Sequence, residues 1–345
     1  MEFLTTRLEN FLNVAWTVFI SIGSTFSLTS LACAFLVSAG YVAWRRHSRG
    51  RAVKLRTVLA GMFPKRIWRG ASMTADLWLF FLNAFVMGAI VGWAVLSFHF
   101  LGGWITDGLN AAFGPRAPTA MPEWMARALF TLVLFLAYEF GYWLEHWISH
   151  RVPFLWEFHK VHHSAEHLTP LTVWRMHPVN TVLFANVVGV VLAIAGSVAA
   201  WLLGGPLTEY AYSGTNVILI VFVHLYLHLQ HSHIWISFTG WAGRIFMSPA
   251  HHQIHHSTNP LHFDRNMGSC LSLFDWLFGT LHVPARQPEK LSFGIEAEGD
   301  VNTITATLVT PFVDSGRQLA KLATGGSANQ EPVPHPRSDA PLSST

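Results

Sequence analysis

Charge is scarce in this chain. Asp, Glu, Lys and Arg make up 12% of its 345 residues, about half the share of an ordinary soluble domain. With 51% hydrophobic residues and a mean hydropathy of +0.35, so little charge excludes a free soluble globule and points to lipid as a main solvent. Cysteine is nearly absent: Cys33 and Cys270 supply neither a disulfide framework nor a CxxC pair. No HExxH occurs, which excludes the usual metallohydrolase helix, and no GxGxxG follows a strand-like segment to hold a dinucleotide.

What replaces charge is long apolar runs, at about 11–44, 77–102, 127–145, 180–204 and 211–227, and a bilayer span needs about 20 such residues. The expected architecture is all-α and polytopic, with about four to five membrane-embedded segments; Gly, Ser, Thr and Asn interrupt several of them, so some enter without crossing. The first run follows an N-terminus of no net positive charge and outlasts a signal-peptide core, so it is expected to stay as an anchor. Between Arg45 and Arg69 stand nine Lys or Arg and no acid, which by the positive-inside rule makes this loop cytoplasmic. A juxtamembrane basic run speaks for anionic-lipid contact and topology, not for nucleic acid. The expected divisions are 1–70, an anchor with the basic loop; 71–322, a membrane-embedded catalytic unit with a cytosolic cap; and 323–345, a Gly-, Ser- and Pro-containing tail that cannot bury enough to order itself.

Histidine is abundant, at twenty residues, and ten of these fall into four short clusters: His146 and His150 in HWISH, His159, His162 and His163 in HKVHH, His228 and His231 in HLQH, His252, His255 and His256 in HQIHH. Imidazoles three or four apart on a helix share a face, so each cluster presents neutral nitrogen donors to one side. Packing gives no reason for two HxxHH repeats and an HxxxH in one chain. About eight to ten donors exceed the three or four that one zinc takes and fit a two-metal site of Fe, Zn, Cu or Ni. Hydropathy and charge carry all four clusters to the cytoplasmic face.

HWISH, then HKVHHSAEHLTPLT with RMHPVN behind it, then SPAHHQIHHS and NMGSCLSLFDWLFGT resemble the fatty acid hydroxylase and sterol desaturase superfamily of membrane di-iron oxygenases. The match runs from about Tyr138 to Pro284. The resemblance implies a helical anchor with a cytoplasmic cap, two non-haem irons held by His alone, O2 as co-substrate and attack on a lipid C–H bond. By motif the ligands are His146, His150, His159, His162, His163, His252, His255 and His256, with His231 matching a further family histidine and His228, one turn earlier, added to the set; no catalytic residue beyond these is implied. His224 and His251 are read as packing or orienting residues, and His177 as a hydrogen-bonding residue outside the metal shell. Glu139 and Trp147 stand where relatives often carry Asp and Arg. Asp264, Asn266 and Asp275 look like family cap residues and equally like turn formers. Phe274, Trp276, Leu277 and Phe278 are expected to pack the cap over the metals.

An unactivated C–H bond yields only to an oxidant from a metal or cofactor, so a lipid hydroxylase is the first reading and a desaturase of the same lipids the second. A non-enzymatic haem carrier or metal transporter would instead place ionisable groups near mid-membrane, as His224 alone does. Electrons must come from outside, from a b-type cytochrome or a ferredoxin with its reductase, which the basic loop can dock. The expected location is an inner or endoplasmic-reticulum-type membrane. Single-cysteine labelling sites introduced after Arg56 and after Pro284 should both react from the cytoplasmic side; reaction from opposite sides would overturn this topology.

Overall fold

The computed structural model describes residues 2–87, 98–296 and 299–324. The described chain is mostly helical, with one two-residue β-hairpin pairing Ala211–Tyr212 with Thr215–Asn216. Helices α1 (Glu2–Phe19) and α2 (Leu28–His47) divide the apolar run expected at 11–44. Ser and Gly between them end α1, and Ser27 starts α2 as its N-cap, accepting from the Ser30 amide. After α3 (Leu55–Met62), α4 (Ala71–Phe81) runs into a π-turn at Leu82–Met87. The run expected at 77–102 passes largely through residues outside the described set.

Beyond α5 (Phe98–Phe113), the frame of the site is α6 (Glu123–Arg151), α7 (Pro153–His163) and α8 (Pro178–Leu202). Pro153 sits at the first turn of α7 and cannot extend α6, so the chain bends sharply at Val152 and turns α7 back beside α6. Gly141 lets α6 approach α8 closely: a Cβ there would stand 3.2 Å from Val188 Cα. Helix α9 (Val217–Phe222) continues as a π-turn at Val223–Leu227 and a last turn at His228–Gln230. Among the described residues three helices, α2, α6 and α8, are long and apolar enough to cross a membrane, and Ala71–Val86 and Val217–Gln230 are shorter apolar helices. Helices of this length and composition fit a membrane protein.

The C-terminal ends of α6 and α9 bring their histidines to one end of the bundle, where a cap of short helices closes over them. The cap comprises α10 (Gly240–Ile245), α11 (Pro249–His255), α12 (Leu273–Phe278), α13 (Ile304–Leu308) and α14 (Thr310–Ala323). Ile254 and Ala250 of α11 are fully buried against Trp235; each large apolar group contributes about 1.5–3 kcal/mol. The basic loop lies at this end too, because Gly61 O accepts from His233 Nε2 at 2.8 Å and Tyr41 OH donates to Trp235 O. The tail proposed from residue 323 lies, from residue 325 on, outside the described residues.

Arg175 ties bundle to cap. Its side chain is fully buried, pairs with fully buried Asp76 of α4 at 3.1 Å, and donates to Ser164 Oγ at 2.9 Å and Asn302 Oδ1 at 2.8 Å. Asp76 also accepts from Thr169 and Thr172 at 3.0 and 2.6 Å. Removing one partner of such a pair strands a buried charge, at about 3–5 kcal/mol. Arg175→Met should therefore lower the thermal unfolding midpoint of the purified protein markedly. The double variant with Asp76→Leu should recover part of that loss, and a single variant as stable as wild type would remove Arg175 from this role.

Candidate metal centre

Nine of the ten cluster histidines meet in two buried groups: His146, His150, His159, His163 and His255 in the first, His162, His231, His252 and His256 in the second, the donor atoms in each lying within 4.8 Å of one another. The HxxHH motifs split between them. In HKVHH the i, i+4 pair His159 and His163 faces the first group and His162 the second; in HQIHH the pair His252 and His256 faces the second and His255 the first. Each motif thus spans both groups, which abut through His163 and His256, with ring centroids 4.5 Å apart.

The nitrogens converge in a way hydrogen bonding does not explain. His231 Nε2 lies 3.2 Å from His162 Nε2, 2.9 Å from His252 Nε2 and 3.2 Å from His256 Nε2, and the last two are 3.1 Å apart. In the first group His163 Nε2 lies 3.2 Å from His150 Nε2 and 3.1 Å from His255 Nε2. A neutral imidazole has one N–H, so His231 cannot bond three like nitrogens. Nitrogens bound to a cation at about 2.0–2.1 Å stand about 3.3 Å apart in a tetrahedron and about 2.9 Å in an octahedron. The observed spacings fall in that range. His146 Nε2 and His159 Nε2 are buried with no hydrogen-bond partner, as ligand nitrogens aimed at a cation would be. The residues present fit a metal.

Protonation fits as well. Burial, reinforced by neighbouring imidazoles, pushes His159 down to about 3 and His163, His252 and His255 well below the ordinary histidine value, so all are neutral at pH 7. Backbone carbonyls select the tautomer. Met267 O accepts from His146 Nδ1 and Arg265 O from His255 Nδ1, both at 2.8 Å; a carbonyl only accepts, so Nε2 keeps the lone pair in both rings. His159 Nδ1 donates at 2.8 Å to Asn180 Oδ1, whose amide in turn donates to Glu145 Oε1 at 2.7 Å. The supporting loop is fixed by buried carboxylates. Asp275 accepts from the Met267 and Gly268 amides at 2.7 and 2.9 Å, and Glu139 from the Cys270 and Leu271 amides at 2.9 and 2.7 Å. Burial raises Asp275 to about 6.

His228 joins neither group. The helix ends at Gln230 and His231 leaves helical geometry (φ −98°, ψ 69°), so the three-residue spacing no longer keeps the two rings on one face. His228 Nε2 instead lies 3.2 Å from Ser30 Oγ of α2. His224 contacts Ile220 O and Thr29 Oγ1, His251 bridges Ser248 and Gly243 O, and His177 caps α8 through the Val179 amide while its Nε2 faces Leu308 O. None of these three rings is in either histidine group. The aromatic segment packs only in part: Trp276 and Leu277 are 44% and 64% exposed, whereas Phe274 is half-buried beside Phe140 and Phe278, though 56% exposed, stacks on Trp143 with ring centroids 4.4 Å apart. Asp275 takes the inward position on α12 because it must reach its amide donors, which leaves Trp276 and Leu277 facing outward.

Residues 131–280 match the family described as fatty acid hydroxylase. Over that stretch the chain is similar to fatty acid hydroxylases. Its curated relatives include the ornithine lipid hydroxylase OlsE of Rhizobium tropici, 32% identical over 180 residues, covering 52% of this chain and 49% of that protein. Human alkylglycerol monooxygenase is 29% identical over 161 residues, 47% of this chain and 32% of the relative, and human cholesterol 25-hydroxylase is 30% identical over 186 residues, 50% and 60%. The chain thus spans about half the length of the first of these relatives and about a third of the second. No solved structure matches it.

Glu145, Asn180 and the Asp76–Arg175 pair escaped the sequence reading, Asp76 lying outside the matched stretch altogether. Glu145 adjoins HWISH, and Asn180 and Arg175 lie in RMHPVN, so position beside a histidine motif was the available signal. Asn180→Ala should free the His159 ring and weaken metal retention about 10–100-fold, read as metal left after a timed chelator challenge. Retention equal to wild type would show that Asn180 does not orient this ligand.

Proposed function

We propose that this protein is a membrane-bound, O2-dependent oxidoreductase with two non-haem irons that hydroxylates a C–H bond of a lipid. The carrying observation is the pair of abutting, all-imidazole groups whose nitrogens converge at coordination spacings, set within a stretch similar to fatty acid hydroxylases. His146, His150, His159, His163 and His255 would hold one ion and His162, His231, His252 and His256 the other. Bound iron would pass electrons to O2 and so supply the oxidising power toward a C–H bond that no side chain possesses. The chain's own residues hold the ligands neutral and oriented, and their burial keeps bulk water from the centre.

Substrate access fits a lipid with a polar end. A cavity of about 470 Å³ reaches His150, His163, His255 and His256, with Trp156 and Phe263 on its wall and Glu157, Lys160, Asp264 and Glu296 around them. Apolar walls beside the histidines suit the carbon to be oxidised, and the charged groups suit a head group. Hydroxylation is preferred to desaturation because the relatives are named hydroxylases and monooxygenases. The donor would be a separate b-type cytochrome or a ferredoxin with its reductase. The basic loop at the cap end offers a docking surface, and its charge supports a cytoplasmic face for the centre in an inner or endoplasmic-reticulum-type membrane.

Purified protein should contain about two irons per chain, and cells expressing it should accumulate a lipid heavier by one oxygen. His163→Ala and His255→Ala should each lower iron content and abolish that product. Full iron with full turnover in both variants, or a product lighter by two hydrogens, would refute the ligand assignment or the hydroxylase assignment respectively.

A further inference from the structure

A third group of donors lies outside the nine-histidine centre. His262, in the single turn Pro260–His262, meets His282 and Glu289, one donor atom from each lying within 4.8 Å of the others. His262 Nε2 stands 3.7 Å from Glu289 Oε2, and the two imidazole rings meet edge to face with centroids 5.1 Å apart. His262 is only 5% exposed, and its Nδ1 is buried without a hydrogen-bond partner. The 3.7 Å separation is too long for a hydrogen bond and close to the edge of about 3.3 Å expected between two ligands of one tetrahedral cation. His282 and Glu289 both lie beyond residues 131–280, so this grouping is not part of the matched family domain.

We propose that His262, His282 and Glu289 form a separate site for a borderline divalent cation of the zinc class. Two imidazoles and a carboxylate are a zinc donor set, with the fourth position left to solvent. The site's place in the fold gives it a structural purpose. His282 is anchored through its backbone, its amide donating to Asn266 Oδ1 at 2.7 Å and its carbonyl accepting from Asn266 Nδ2 at 2.9 Å. Between His262 and this anchor the chain carries Asp264 and Asn266 at φ 57° each, left-handed backbone that non-glycine residues adopt only when their surroundings hold them. That same short segment supplies Arg265 O to His255, and Asp264 Oδ1 lies 3.5 Å from His150 Nδ1. A cation joining His262 to His282 and Glu289 therefore clips the tight loop that steadies two imidazoles of the first group.

The test uses the full-length, iron-loaded protein in detergent, with zinc chloride as the probe and metals counted by mass spectrometry after gel filtration. Wild type should take up one zinc per chain with iron unchanged, and its unfolding midpoint should rise with zinc. Glu289→Gln and His282→Ala should each weaken zinc uptake at least tenfold and abolish the zinc-dependent rise while retaining iron. Glu289 is partly exposed, so its conservative variant tests the site without demanding that the loop refold. His163→Ala should do the reverse, losing iron and keeping the zinc, which separates this site from the di-iron reading. Equal zinc binding by wild type and Glu289→Gln, or no binding by wild type at micromolar zinc, would reduce the group to a His–Glu ion pair and overturn the proposal.

Discussion

Nine imidazole lone pairs directed at two small volumes set the terms for the rest of the structure. Such an arrangement is unfavourable by itself, since each ring must be stripped of water, kept neutral and turned so that its free nitrogen faces others like it. The remaining architecture meets these requirements. Helices α6, α7, α9 and α11 supply the rings from four directions. Carbonyls of Met267 and Arg265 and the amide of Asn180 consume the outward N–H groups of three of them. Asp275 and Glu139 hold the loop that presents Met267, so a chain of short bonds runs from buried carboxylate to backbone to imidazole. A cation on the far side of each ring would complete the same chain.

Much of this was legible in the sequence, because helical spacing and hydropathy are local signals. The two HxxHH motifs and HWISH announced a two-metal donor set, and eight of their eight histidines lie in the two groups. His231 followed from resemblance, and His228 shows where spacing stops serving: a periodicity argument assumes that the helix continues, and this one ends at Gln230. Long apolar runs gave the membrane segments but not their breaks. Ser and Gly near residues 20–27 divide the first run, and π-turns at Leu82–Met87 and Val223–Leu227 interrupt two shorter ones.

What stayed illegible is the set of partners joined across long stretches of chain. Asp76 and Arg175 lie 99 positions apart, and Glu139 reaches amides 131 and 132 positions away. Nothing local marks a carboxylate that will serve a distant backbone, since its role depends on which amides the fold leaves without partners. The outward turn of Trp276 and Leu277 has the same origin. Their neighbour Asp275 has the stronger claim on the interior, and a short helix has room for only one face toward it.

The division of ligands between the groups also orders how the centre comes together. Residues 146–163 carry four of the five imidazoles of the first group on two helices joined at Val152, so most of that half exists once a single helical hairpin has formed. The second group holds only His162 from this hairpin and waits for α9 and α11. The first half thus lacks only His255 before the cap docks, and the second closes only when it does. His255 arrives with that same docking event. Completion of both halves is a single step, and an incompletely capped chain would possess one loose four-imidazole pocket and no pair.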